Sequence, residues 1–119
     1  MSAKTSVHRA KFLSAVVRAG FTLIRSGDRF APGEHDLVIG AAPWSDPDLA
    51  ILEELVRQTR GRNVRVSVFD IDDLSYPEME SNFPGIRRFM RTPVVIQYRD
   101  GKLTHLGEGT DERLWLGQF

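Results

Sequence analysis

The chain has 119 residues, of which 41% are hydrophobic and 27% charged, an ordinary composition for a globular domain with its own core. Its 16 basic and 16 acidic side chains cancel, which leaves no electrostatic footprint for nucleic acid or an anionic membrane surface. It contains no cysteine, so none of its own groups can act as a thiolate nucleophile.

Taken in order, residues 5–19 read as an amphipathic helix. Phe12, Val16 and Ala19 share one face, Leu13 and Val17 lie beside them, and Lys4, His8, Lys11 and Arg18 take other sides. Gly20 is a stop signal. The apolar runs are far too short for a membrane span. Arg9, Lys11 and Arg18 interrupt the N-terminal segment, so no signal peptide is expected and the cytoplasm is the default location. Phe21 to Ile24 reads as a short strand. Residues 25–35, with Gly27, Asp28, Pro32 and Gly33, read as a loop with room for one helical turn. Asp36 to Ala41 is apolar without alternation, as expected of a strand covered on both faces.

A second amphipathic helix is expected from about Pro47 to Arg60, with Leu49, Leu52 and Val56 on a face shared with Ile51 and Leu55. Asn63 to Ile71 is a β-branched strand. Residues 73–91 read as helical in part: Pro77 suits a first turn, and Pro84-Gly85 divides the stretch into two short pieces. Pro93 to Tyr98 is a strand. Asp100-Gly101 makes a tight hairpin turn to a strand over Leu103–Leu106. Gly107-Glu108-Gly109 reads as a turn into a short helix from Thr110 to about Leu116. The long crossovers predict parallel pairing early in the chain, and the Asp-Gly turn predicts an antiparallel pair later. These elements give one domain, 1–119, with residues 1–19 as a helical extension.

Ala42-Pro43-Trp44-Ser45-Asp46-Pro47-Asp48 lies at the junction between the second strand and the second helix. It resembles the Trp-Cys-Gly-Pro-Cys junction of the thioredoxin-like superfamily, with Ser45 and Asp48 in place of the two thiols. Asp70-Ile71-Asp72 resembles the family's Asn-Ile-Asp at the end of the third strand. Thr92-Pro93 resembles its cis-proline, and Gly101 follows Pro93 at the family's usual interval. Over roughly residues 20–119 the chain therefore resembles a cysteine-free thioredoxin-like protein. That implies an α/β fold with a central mixed sheet flanked by helices, plus an extra N-terminal helix. The family's buried acid falls at Ile39 and its lysine at Val68, so the groups that manage the resolving thiol's proton are absent along with the thiols. The segment from Asp72 to Pro93 looks longer than usual, and the last helix looks short. The layout is also similar to the thioredoxin-like accessory proteins of hydrogenase maturation, through Gly20-Phe21-Thr22 and the extra helix. A more distant likeness, through Trp44, Pro47, Leu106-Gly107 and Gly109, is to the spliceosomal thioredoxin-like proteins.

Ser45 or Asp46 can cap the second helix, with Pro47 in its first turn and Asp48 favoured by the helix dipole. The alternative is a glutathione-holding serine, as in some glutathione transferases on this fold, and the acidic neighbours oppose a thiolate there. Trp44 reads either as an exposed anchor for a peptide or as packing over the loop. With Thr92 and Pro93, the residues Trp44, Ser45 and Asp46 outline the peptide groove that the resemblance implies. Arg87, Arg88 and Arg91 form a basic cluster that either pairs with the acidic stretch Asp70, Asp72, Asp73, Glu78 and Glu80 or receives an acidic partner. His8, His35 and His105 have no metal-ligand spacing. The expected function is a non-enzymatic, chaperone-like accessory module for a protein or extended peptide, without cofactor, metal, nucleic acid or membrane. Trp115, Leu116 and Phe119 are expected to leave apolar surface for a homodimer.

Overall fold

The computed structural model describes residues 3–119, with side chains described from Val7 onward; Lys4, assigned above to a polar side of the first helix, lies outside the described side chains. The elements are α1 (Ala3–Arg18), β1 (Thr22–Ile24), β2 (His35–Ala41), α2 (Asp46–Thr59), β3 (Arg65–Asp70), α3 (Tyr76–Asn82), β4 (Val94–Arg99), β5 (Lys102–Glu108) and α4 (Glu112–Gly117).

The sheet order is β1-β3-β2-β4-β5. The β1–β3 and β2–β3 pairs are parallel, as the crossovers predict, and the β4–β5 pair is antiparallel, as the Asp-Gly turn predicts; β2 and β4 also pair antiparallel. Both central residues of that turn have positive φ, 50° at Asp100 and 78° at Gly101, the backbone a two-residue hairpin needs. The turn is tied down by Asp100 N–H to Glu34 O and Gly101 N–H to Gly33 O, both 2.9 Å.

Alternation along the central strands sends side chains into two cores. Leu37, Ile39, Val66, Val68 and Val95 face Phe12 and Val16 of α1, Ile51 and Leu55 of α2, and Leu116 of α4. Val38, Phe69, Val94, Ile96 and Tyr98 face Met79 of α3 and Phe83. The N-terminal helix thus contributes to a core rather than lying beside it. Ile39 and Val68, where the resemblance places an acid and a lysine, are fully buried. Gly40 lies in register with Phe69, and the ring covers it so closely that a Cβ would sit 2.4 Å from Phe69 Cζ.

Several sequence expectations are corrected. The stretch after Pro84 forms no second helical piece; α3 ends at Asn82, and residues 83–93 run as turns, bends and irregular chain. Phe83 explains this, because its fully buried ring stacks on Phe69 at 4.9 Å and pulls the chain onto the sheet. No helical turn forms within 25–34. Gly107 and Glu108 belong to β5, so the turn begins only at Gly109. Val17 is exposed rather than part of the packed face of α1. The apolar end of the chain is partly covered: Leu116 is fully buried, half-buried Trp115 stacks on His105 at 3.8 Å, and half-buried Phe119 packs against His35 and beneath Arg62. Leu114 is the α4 apolar residue that faces solvent.

Candidate binding site at one end of the sheet

Strand register brings the sequence-predicted residues to one end of the sheet. Ala41, the last residue of β2, lies beside Asp70, the last of β3, and Gly40 lies opposite Val94, the first of β4. Val94 in turn faces Glu108, the last residue of β5. The junction 42–46, the turn after Asp70, the approach Arg91–Pro93 and the exit at Gly109 therefore all meet there. The chain leaves β2 for β3 on one side and later returns to β4 on the other. A cavity of about 370 Å³ opens at the ends of β1 and β3, lined by Arg9, Leu23, Arg25, Asp70 and Asp72 among others. Ile71 N–H to Ala41 O (3.1 Å) and Gly109 N–H to Pro93 O (2.9 Å) hold this end together.

The 42–48 junction is a closed turn. Ser45 is the N-cap of α2, extended at φ −93° and ψ 116°, and its Oγ accepts the Asp48 N–H at 3.3 Å. Asp48 is 1% exposed, and its Oδ2 accepts the Ala42 N–H at 2.8 Å. Its Oδ1 has no hydrogen-bond partner among the described residues. Ala42 and Pro43 are buried beneath the turn, whereas Trp44 is 45% exposed and Asp46 faces solvent. The capping reading of Ser45 therefore describes its bonding, and the carboxyls of Asp46 and Asp48 flank it at the helix start.

Pro93 is buried, Thr92 half-buried, and the bond between them is cis. Thr92 precedes the strand ladder, which starts at Val94. Its main-chain N–H and C=O enter none of the loop and turn hydrogen bonds described here.

Among the described residues, no ion pair joins the arginines to the acidic stretch. Asp70 and Asp72 bind Arg9 of α1, at 3.0 and 3.5 Å. Asp73 accepts the Ser26 N–H at 3.1 Å. Glu78 closes a capping box with Ser75 and also accepts from Ser26 and Gly27. Main-chain donation from Ser75 and Gly27, with the Ser26 hydroxyl, lowers the Glu78 pKa to about 2. Arg87, Arg88 and Arg91 are exposed, and no carboxylate forms an ion pair with them among the described residues. Arg88 lies over the Tyr76 ring at 4.8 Å.

Two contributors were not singled out from sequence. Glu108 Oε2 accepts the N–H groups of both Met90 and Arg91 at 2.8 Å, and these bonds hold its carboxyl below the usual range. The flanking glycines made it look like a turn residue. Arg9 reaches the end of β3 from α1, a helix whose polar sides were not assigned a partner. No group of three or more histidine, aspartate or glutamate side chains could hold a metal ion among the described residues. His105 Nε2 bonds Glu112, and His35 contacts Gln97. No helix among the described residues is long and apolar enough to cross a membrane.

No protein-family model matches the sequence, and no curated protein matches it. Solved structures do. Mitochondrial thioredoxin 3 from Saccharomyces cerevisiae, in its oxidised form, superposes with a TM-score of 0.62 at 16% identity, over 83% of this chain and 92% of that one. A chain from a structure of thiol resolution in yeast mitochondrial 1-Cys peroxiredoxin by the glutathione/thioredoxin systems gives a TM-score of 0.63 at 15% identity, over 82% and 91%. A point mutant of thioredoxin from Halobacterium salinarum NRC-1 gives 0.60 at 16%, over 82% and 84%. Such identities carry the fold and not the activity. The chain is thus a protein of thioredoxin-like fold that holds no cysteine with which to run thiol chemistry.

Proposed function

We propose that the protein is a non-redox binding module, a cytoplasmic chaperone-like accessory factor that holds an extended segment of a partner protein. The segment lies along Trp44, Ser45, Asp46, Thr92 and Pro93. The observation that carries this reading is the pairing of an exposed indole with an unengaged strand approach. Trp44 stands on a turn closed by hydrogen bonds, and at the same end of the sheet the main chain of Thr92 enters no loop or turn main-chain hydrogen bond among the described residues. An extended peptide bonds to such a main chain and gains specificity from neighbouring side-chain contacts. Aromatic side chains on rigid turns make strong anchors. A role in maturing a partner is suggested separately, by the likeness of the layout to the accessory proteins of hydrogenase maturation.

The test is capture of partners from a lysate of the source organism by wild type and by Trp44→Ala. The variant should keep its melting temperature, because the indole is largely outside the core. It should lose its partner by roughly tenfold or more, as expected for a hot spot. Equal capture by both proteins would remove Trp44 from the site, and a variant that unfolds would show the indole to be packing.

A further inference from the structure

The segment from Pro84 to Thr92 is anchored at several points. The Tyr98 hydroxyl donates to Pro84 O at 2.8 Å, and Ile86 N–H donates to Phe83 O at 3.0 Å. Glu108 takes the Met90 and Arg91 N–H groups, and the Phe89 ring lies 6.4 Å from that of Tyr76. This fixed segment presents Met90, which is 96% exposed, between Arg88 and Arg91. Beside it lies a cavity of about 260 Å³ lined by Arg87, Arg88, Phe89, Val94, Leu106 and the end of β5. The cavity thus combines apolar side chains with two cations; the Glu108 carboxylate in its wall feels the charges of Arg87 and Arg91 but forms no ion pair with them among the described residues.

We propose that this face docks an acidic linear segment of a partner protein. One apolar side chain of the segment enters the cavity, and its carboxylates pair with Arg87, Arg88 and Arg91. The proposal rests on the binding-module reading and specifies the partner's chemistry. Guanidinium groups bind carboxylates in a fixed two-pronged geometry, and an anchored loop loses little freedom on binding. Of the acidic stretch, Glu80 forms no ion pair among the described residues, whereas Asp70 and Asp72 are engaged by Arg9, Asp73 by Ser26 and Glu78 by the loop after β1. That favours a partner's carboxylates over those of a second copy. Glu108, in the cavity wall, has one oxygen occupied by two main-chain donors.

The probe is a library of random peptides displayed on phage and selected on the immobilised protein. The best enriched sequence is then synthesised with a fluorescein label, and its affinity is read by anisotropy. We expect aspartate and glutamate to be enriched around one aliphatic or aromatic residue. Affinity should fall steeply with added salt and by roughly tenfold or more in Arg87→Gln/Arg91→Gln. Arg88 stays in place in that variant because it packs on Tyr76. Trp44→Ala reports separately on the groove: an acidic peptide lost only in the arginine variant supports the dock and counts against the groove. Peptides with no acidic bias that are lost in Trp44→Ala would overturn the dock and leave the groove standing. Unchanged affinity in the arginine variant, or no enrichment at all, also overturns the dock. So does arginine-dependent dimerisation in sedimentation, which would make the occupant a second copy.

Discussion

Removing the Asp48 carboxyl tests how the junction that carries Trp44 is held. In Asp48→Ala the Ala42 N–H, which is buried, loses the oxygen that accepts it at 2.8 Å. A buried donor left without an acceptor costs about 1–3 kcal/mol. Loss of a carboxyl in the first turn of α2 adds about 0.3–1 kcal/mol. Against this, Asp48 buries a second oxygen with no partner, and its removal recovers part of the loss. A net destabilisation of about 2 kcal/mol follows. Asp48→Asn keeps a carbonyl oxygen for the Ala42 N–H and should lose less than about 1 kcal/mol. Urea unfolding of the three proteins, with unchanged slopes, measures both differences. The reasoning is refuted if the alanine variant is as stable as wild type, or if asparagine costs as much as alanine. In the latter case the charge, and not the acceptor, would hold the turn. The alanine variant should also capture partners less well, since the turn that aims Trp44 loosens.

Gly40→Ala should destabilise by about 1–3 kcal/mol, because Phe69 is wedged between the new methyl group and Phe83. In urea unfolding, Phe69→Leu added to it should cost less than the sum of the two changes, and simple additivity would deny the contact. Glu78 has a folded pKa lowered from 4.5 to about 2, so its contribution is complete above the unfolded value and is lost as pH falls through that window. Acid unfolding followed by circular dichroism should be less steep between those values in Glu78→Gln, and an unchanged profile would contradict the capping assignment. Leu116→Ala should cost about 2–5 kcal/mol, and exposed Leu114→Ala little. If instead Leu116→Ala left stability intact and changed only the solution mass, the C-terminus would be an interface after all.

Period and punctuation made most of the sheet legible. The continuous apolar run of β2, the β-branched run of β3 and the Asp-Gly turn each follow from local rules, and the structure realises the parallel pair and the hairpin expected from them. The 83–93 segment was not legible in this way. Pro77 and Pro84 mark where a helix starts and stops, but a distant contact, Phe83 on Phe69, decides that no second helix follows. The partial cover of Trp115 and Phe119 was not legible for a similar reason, since the histidines against them come from β5 and β2. Around the candidate site, the residues of the 42–48 junction were visible as a motif. The partners that set their geometry were not, because a main-chain donor such as Ala42 N–H leaves no trace in sequence. Arg9 and Glu108 escaped because the pairings that define them span 61 and 17 or more residues.

In the redox-active arrangement that the sequence resembles, positions 45 and 48 carry sulfur, and the helix start favours the thiolate. Here those positions carry oxygen acceptors that close the turn. Sulfur accepts hydrogen bonds weakly. A cysteine at 48 would leave the Ala42 N–H poorly met, and one at 45 would weaken the helix cap. Each single replacement therefore loses folding free energy, and neither alone yields an exchangeable disulfide. An engineer grafting the dithiol onto this scaffold would have to introduce both sulfurs together and recover the lost stability elsewhere. For natural drift, which moves one codon at a time, the exchange of sulfur for oxygen at this turn works as a ratchet.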